Sequence, residues 1–188
     1  MKLCKNKDQP DFSTMRTDII GPVLRTLNEL KQKKLLTDYA IGGGLAVLYY
    51  AEPVLTYDFD VVCVFPHGVG SLVDPTPVYR ELKRQGFLFG KEDRIVIADV
   101  PVQFIPADDG LLSEALTNAR EVVVDGVPTK IIALEYLVAN MLKLYRPKDR
   151  AKLDLIMNNE DVPLDRGLLE QILRTYDLLE KLRRFNEH

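Results

Sequence analysis

The sequence is poor in the residues that build disulfide frameworks and zinc sites. Its 188 residues include two cysteines, Cys4 and Cys63, and two histidines, His67 and His188. One cysteine in a charged tail and one in an apolar strand pattern indicate neither a disulfide framework nor a metal knuckle. A lone histidine in a loop does not suggest zinc. We therefore expect a reducing, cytoplasmic location and a Cys63 thiol buried in the core.

Long apolar runs and an excess of one charge are lacking too. No segment approaches the roughly 18 apolar residues of a membrane helix, and the N-terminus lacks the apolar core of a signal peptide. The net charge of −3 argues against nucleic-acid binding through overall charge, although it does not exclude a local basic patch. With 46% hydrophobic and 28% charged residues, the chain is expected to form a packed protein without a membrane partner.

Apolar residues recur at helical spacing near the start of the chain and over its last third. Ser13 or Thr14 is expected to cap the first helix, and Gly21 and Pro22 are expected to break or kink it near its start. Further helices are predicted over 134–145, 148–158 and 165–185.

Between these helices the patterns predict a mixed sheet. Asp125-Gly126 is a strong turn signal between two strand-like arms. Because strands that are joined by hairpins as well as across helices form a mixed sheet, the predicted fold class is α+β, with flanking helices and a helical C-terminal third. We expect an α/β core with its N-terminal helix over 13–132 and a helical subdomain packed on it over 133–188.

Three consecutive glycines, Gly42 to Gly44, stand between a predicted strand and a predicted helix. Glycine permits close backbone approach, and the amides at a helix N-terminus form a ready site for a phosphate. No Gly-Lys-Ser/Thr follows, which excludes a P-loop, and Val47 stands where the GxGxxG spacing requires its third glycine. The alternative is a tight turn that packs close against the sheet.

Asp58 and Asp60 are separated by one residue on a predicted strand. Because successive side chains of a strand point to opposite faces, the two carboxylates share a face, with Cα atoms roughly 7 Å apart. Neighbouring carboxylates on an apolar strand repel each other and resist desolvation. Mg²⁺ relieves both effects, since it is held by one or two carboxylates together with substrate phosphates. The alternative is a solvated strand edge.

The two patterns occur together, because GGGLA is followed about fifteen residues later by TYDFDVV. This combination resembles the signature of the nucleotidyltransferase superfamily, whose fold is that of the DNA polymerase β palm. Within it, the sequence most resembles the small proteins related to the AbiEii and AbiGii toxins of type IV abortive-infection systems. The resemblance implies that Gly42 and Gly43 hold the triphosphate of an NTP substrate and that Asp58 and Asp60 bind Mg²⁺, the expected cofactor.

The sequence departs from the superfamily pattern at one carboxylate. A third acid is usual on a neighbouring strand, and the matching strand here, VPVQFIP, has Gln103 at that position. A neutral amide offers one oxygen to a metal, but it supplies no charge and cannot act as a base. Asp99, Asp108 and Asp109 are nearby in sequence, although none is a clean substitute.

The start of the helical third carries a basic patch, which consists of Lys143, Arg146, Lys148, Arg150 and Lys152. Relatives of the abortive-infection type tend to have a lysine six residues after the glutamate that opens this region. Here Glu135 leads to Met141, and Lys143 lies two residues later. The following RPKD matches the family pattern and supplies Arg146 and Lys148, which are expected to meet phosphates of a nucleotide or an RNA end. The alternative is a solvated helix face that pairs with acids elsewhere.

The sequence therefore predicts a Mg²⁺-dependent transfer of a nucleoside monophosphate from an NTP to an acceptor, with release of pyrophosphate. The acceptor is left open among an RNA end, a protein and a small molecule, and a toxin role would imply an antitoxin partner. In this hypothesis the catalytic residues are Asp58, Asp60 and Lys148, and the nucleotide-binding residues are Gly42, Gly43, Lys143, Arg146 and Gln103. The alternative is a catalytically impaired relative that serves as a nucleotide-binding or interaction module.

Overall fold

The computed structural model describes residues 17–51, 58–66, 73–90 and 94–187. The predicted helix cap at Ser13 or Thr14 lies outside these residues. The helices are α1 (Thr17–Gln32), α2 (Gly43–Tyr50), α3 (Thr76–Arg84), α4 (Gly110–Thr117), α5 (Leu134–Leu144), α6 (Pro147–Met157), α7 (Arg166–Thr175) and α8 (Leu179–Asn186). The strands are β1 (Asp38–Ile41), β2 (Phe59–Val64), β3 (Leu88–Phe89), β4 (Ile95–Ile97), β5 (Val100–Pro106), β6 (Arg120–Val124) and β7 (Val127–Ile131).

The strands form one mixed sheet in the order β3-β4-β5-β2-β1-β7-β6. Strand β2 lies at its centre, antiparallel to β1 and parallel to β5. The predicted hairpin joins β6 to β7, and its turn residues Asp125 and Gly126 have φ of 52° and 71°. The last third of the described chain is helical, from α5 to α8. The predicted α+β fold class is therefore confirmed.

Of the break or kink predicted at Gly21 and Pro22, the break is wrong, because α1 continues through both residues. Proline removes one N–H from the helix ladder, and this loss is local. The helix buries a continuous apolar stripe against the sheet, and tertiary packing of this kind supplies most helical stability. Gly21 lets the helix approach the β6–β7 turn, since a Cβ there would lie 2.0 Å from Oδ2 of Asp125. The fully buried residues of the stripe are Val23, Leu24, Leu27 and Leu30.

The single helix predicted over 165–185 is wrong as well, because the structure divides it into α7 and α8. Asp177 adopts a left-handed φ of 54° between them. The N–H of Leu178 donates to the carbonyl of Leu173 at 2.8 Å, which is the backbone pattern that commonly ends helices. The turn lets both helices contact α5. Packing on α5 thus decides where the helix ends, and a local helical pattern does not contain that information.

None of the helices in the described ranges is long and apolar enough to cross a membrane.

Cys63 occupies the middle of β2, on the face opposite to Asp60, and it is fully buried as predicted. Burial raises the pKa of the Cys63 thiol to about 12. The thiolate is the reactive form, so this cysteine is doubly protected, by its pKa and by its inaccessibility.

We expect Cys63 to resist thiol reagents at pH 8 until the sheet opens. In a Cys4→Ser variant, which leaves Cys63 as the single cysteine, labelling by a disulfide reagent should be about a thousandfold slower than for the urea-unfolded chain, because it requires an opening of the core. Rapid, complete labelling of the native variant would show that β2 is not the core strand described here.

Candidate functional site

Asp60 lies at the centre of the candidate site, between two neighbouring strands. Its carbonyl oxygen accepts from the N–H of Gly42 at 2.9 Å, which ties β2 to the glycine turn after β1. On its other side, Asp60 is directly opposite Gln103 of β5 in the parallel register. Paired residues of neighbouring strands share a face of the sheet. The structure therefore brings the predicted aspartate, glycine turn and glutamine together.

Gly43 touches the Asp60 side chain directly. It has a left-handed φ of +57°, and a Cβ at this position would lie 1.8 Å from Oδ2 of Asp60. There is little space for a side chain at Gly42 either, since an added Cβ would lie 3.0 Å from Cγ2 of Val62. Helix α2 starts at Gly43, and the first amides of a helix have no intrahelical acceptor. The positive end of the α2 dipole thus lies beside the Asp60 carboxylate.

Burial raises the pKa of the Asp60 carboxyl above its ordinary value, and the neighbouring Asp58 charge raises it further. Three cations act in the opposite direction, with Lys148 first, followed by Lys152 and Arg146. Arg146 caps α6 and the two lysines lie within it, so this helix supplies the positive charge that faces the partly buried carboxylate. Burial lowers the pKa of Lys152 in turn, whereas Asp60 opposes that shift.

Arg146 is held in place by the first turn of α6. Its Nε and Nη2 donate to the two carboxylate oxygens of Asp149 at 2.7 and 3.1 Å. Asp149 is 2% exposed, whereas the Arg146 side chain is 50% exposed, so the carboxylate anchors a guanidinium that still reaches solvent. The basic patch is therefore a structured helix start that faces Asp60, with one of its cations already paired within the helix.

Lys143 lies elsewhere, in a junction between helices. Its ammonium pairs with Asp109 at 2.8 Å, and Asp109 also caps α4 by accepting from the N–H of Leu112. Lys181 of α8 donates to the Lys143 carbonyl. Asp109 lies past the C-terminal end of β5, whereas Asp60 is paired with the middle of that strand. Its predicted role in nucleotide binding stays a prediction, and the structure gives it a clear function in packing α4, α5 and α8 together.

Sequence reasoning missed one residue of the site, Arg94. Nη1 of Arg94, at the start of β4, donates to Oδ1 of Asp58 at 2.8 Å, and the two side chains are 25% and 29% exposed. This contact depends on the order of three strands, for which the sequence carries no signal. Lys152 belongs to the basic patch identified in the sequence, and it lies four residues after Lys148 on the same helix face.

The oxygen donors of the site fit a hard divalent cation. They are the carboxylates of Asp58 and Asp60 and the amide oxygen of Gln103. Within the described ranges, no three His, Cys, Asp or Glu residues cluster to form a metal cage. Mg²⁺ is normally held by one or two carboxylates together with substrate phosphates, so a complete protein cage is not required. Arg94 already holds one of the Asp58 oxygens.

Two solved structures have a similar fold. An antigenic nucleotidyltransferase-like protein from Paracoccidioides brasiliensis is 17% identical, with a TM-score of 0.53 over 88% of this chain and 93% of that one. ANT(2″)-Ia in complex with adenylyl-2″-tobramycin is 19% identical, with a TM-score of 0.53 over 87% of this chain and 98% of that one. The chain has the nucleotidyltransferase fold.

At the level of sequence, no family model and no curated protein matches the chain. The fold expected from the glycine and aspartate motifs is thus confirmed by structural similarity. The finer resemblance to AbiEii-type toxins stays a prediction.

Gly43→Ala should distort the site as well as the backbone. Gly126 has a similar φ of +71° with nothing within 4 Å of an added Cβ, so Gly126→Ala is the matched control. Both variants force an alanine into a left-handed conformation, which costs about 1–2 kcal/mol. Gly43→Ala should lose at least ~1 kcal/mol more free energy of unfolding, because its methyl group displaces Asp60. Equal losses in urea unfolding would argue against the Gly43–Asp60 contact.

Proposed function

We propose that this protein is a nucleotidyltransferase that moves a nucleoside monophosphate from an NTP to an acceptor and releases pyrophosphate. The observation that carries this proposal is the convergence on Asp60 of the Gly43 turn, the Asp58 carboxylate and the cations of α6. Each of these groups would help to bind a triphosphate or the metal ion that accompanies it. The fold of the chain supports the same proposal.

The α2 turn and the basic start of α6 would bind the phosphates. The free amides at the start of α2 can donate to phosphate oxygens, and Lys148 and Lys152 can offset their charge. Arg146 presents a guanidinium whose orientation Asp149 has already fixed, which lowers the entropy cost of binding. Catalysis of phosphoryl chemistry is mainly positioning and charge stabilisation, so these contacts are what the reaction needs.

Asp58, Asp60 and Gln103 would form the end of the site where the acceptor attacks. A Mg²⁺ ion bound to the aspartates would stabilise charge on the transferring phosphate and on the attacking oxygen. Gln103 would orient this region through hydrogen bonds, since an amide cannot accept the acceptor's proton. Asp60 lies directly opposite Gln103 in the sheet.

The acceptor must supply a nucleophilic oxygen. An RNA 3′ end, a protein hydroxyl and a small molecule such as an aminoglycoside all offer a nucleophilic oxygen to the same phosphate. If the protein acts as a toxin of the AbiEii type, an antitoxin partner would cover this site or remove its product.

A second function is supported by Gln103. Its place beside Asp60 is where the superfamily pattern has an acid, so the chain would also suit a nucleotide-binding module without turnover. The two functions share nucleotide binding and differ in pyrophosphate release, and this difference makes them separable.

Purified protein should bind at least one of the four NTPs in the presence of Mg²⁺, as measured by calorimetry, and release pyrophosphate when a suitable acceptor is supplied. Lys148→Ala should weaken nucleotide binding about tenfold, equivalent to about 1.4 kcal/mol, because it removes a cation that acts on Asp60. Lys33→Ala is the control, since that ammonium pairs with Glu81 on α3.

Binding of no NTP by the wild-type protein would contradict both functions. Binding without pyrophosphate release, across RNA, protein and aminoglycoside acceptors, would contradict the enzyme and favour the nucleotide-binding module.

A further inference from the structure

Arg94 reaches Asp58 across an intervening strand. Ile95 of β4 pairs with Val102 of β5, and Val102 pairs with Phe59 of β2. Because β4 runs antiparallel to β5 and β2 runs parallel to it, the registers place Arg94 level with Gln103 and Asp58 level with Pro101. Two strand spacings across the sheet and two residues along it therefore separate their backbones by about 12 Å. A fully extended arginine is needed to make this contact. The ion pair is therefore a specific feature of the sheet and not a chance meeting of neighbouring surface charges.

The environment makes this ion pair strong. The Nη1–Oδ1 distance is 2.8 Å, and both side chains are about three-quarters buried. Partial burial reduces screening by solvent, and a charged donor with a charged acceptor forms the stronger class of hydrogen bond. Arg94 therefore supplies Asp58 with the charge neutralisation that a metal ion would otherwise provide.

The same carboxylate oxygen is a natural ligand for a divalent cation. Mg²⁺ lies about 2.0–2.1 Å from its oxygen ligands, and a guanidinium at hydrogen-bond distance from that oxygen would be strongly repelled by it. The α6 cations that act on Asp60 add to this opposition. A metal ion that binds Oδ1 of Asp58 must therefore compete with Arg94 for that oxygen.

We propose that Arg94 is a resident counter-ion that competes with a divalent cation for Asp58 and so controls metal binding at the site. This inference rests on the proposed function only in assigning Asp58 and Asp60 as cation ligands. Triphosphate oxygens offer the displaced guanidinium new acceptors, so nucleotide and metal reinforce each other's binding. Without nucleotide, the wild-type site holds a divalent cation weakly.

The test is Mn²⁺ binding without nucleotide, measured by electron paramagnetic resonance of the free ion. Arg94→Gln keeps a polar side chain and removes the charge, and it should lower the Kd for Mn²⁺ about tenfold or more. Arg94→Lys keeps the charge but has a shorter reach than arginine, so its Kd for Mn²⁺ should lie between those of the wild type and Arg94→Gln. Arg84→Gln is the matched control, because it removes an exposed arginine that is paired with Glu81, and it should change nothing.

The gain must depend on Asp58. Adding Asp58→Asn to Arg94→Gln should abolish the gain in Mn²⁺ affinity. A gain in affinity that persists would place the Mn²⁺ elsewhere and overturn the proposal. An unchanged or weaker affinity in Arg94→Gln would overturn it too, as would the absence of Mn²⁺ binding in every variant.

A second measurement covers the case in which Arg94→Gln does not fold. In the wild-type protein, the Nε–H resonance of Arg94 should move during a Mg²⁺ titration, with the same midpoint as metal binding. A resonance that stays in place while the site fills would overturn the proposal. Neither measurement requires nucleotide or turnover, so a failure of the proposed transferase function would be seen separately.

Discussion

The contact between Gly43 and Asp60 is the constraint on which the rest of the site depends. Gly43 has no room for a side chain and adopts a left-handed backbone, while the neighbouring N–H of Gly42 binds the Asp60 carbonyl. These two contacts fix the start of α2 against the middle of the sheet. They also press a carboxylate into a partly buried position, which is unfavourable unless positive charge lies nearby.

That charge comes from a distant part of the chain, and this explains why the helical third is part of the site. Helix α5 follows β7, whose pairing with β1 ends at Ile41, immediately before the glycine turn. The chain then reverses at Tyr145, which adopts a left-handed φ of 49°, and α6 begins with Arg146 as its cap. Packing of α5 on α2 and of α6 on α5 thus decides that Lys148 and Lys152 act on Asp60.

The sequence was sufficient for the parts of the site that depend on local geometry. Asp58, Asp60 and the glycines follow from strand alternation and from backbone freedom, and Gln103 was placed by a strand motif whose register the structure bears out. Features that depend on tertiary packing were not predictable. Pro22 is tolerated because α1 is deeply packed. Lys143 pairs with Asp109, the residue that caps α4. Arg94 contacts Asp58 only because β4 and β2 lie on either side of β5.

Gln103 and Arg94 both make the local charge around the two aspartates less negative. An amide in place of an acid removes a negative charge beside Asp60, and a guanidinium on Asp58 adds a positive one, so together they shift the local charge by about the charge of one divalent ion. Protein side chains therefore neutralise part of the negative charge that a metal ion would neutralise in a site with more carboxylates. In the proposed function, α6 and α2 would mainly set the affinity for phosphate, and the competition between Arg94 and a cation would set the affinity for metal in the absence of nucleotide.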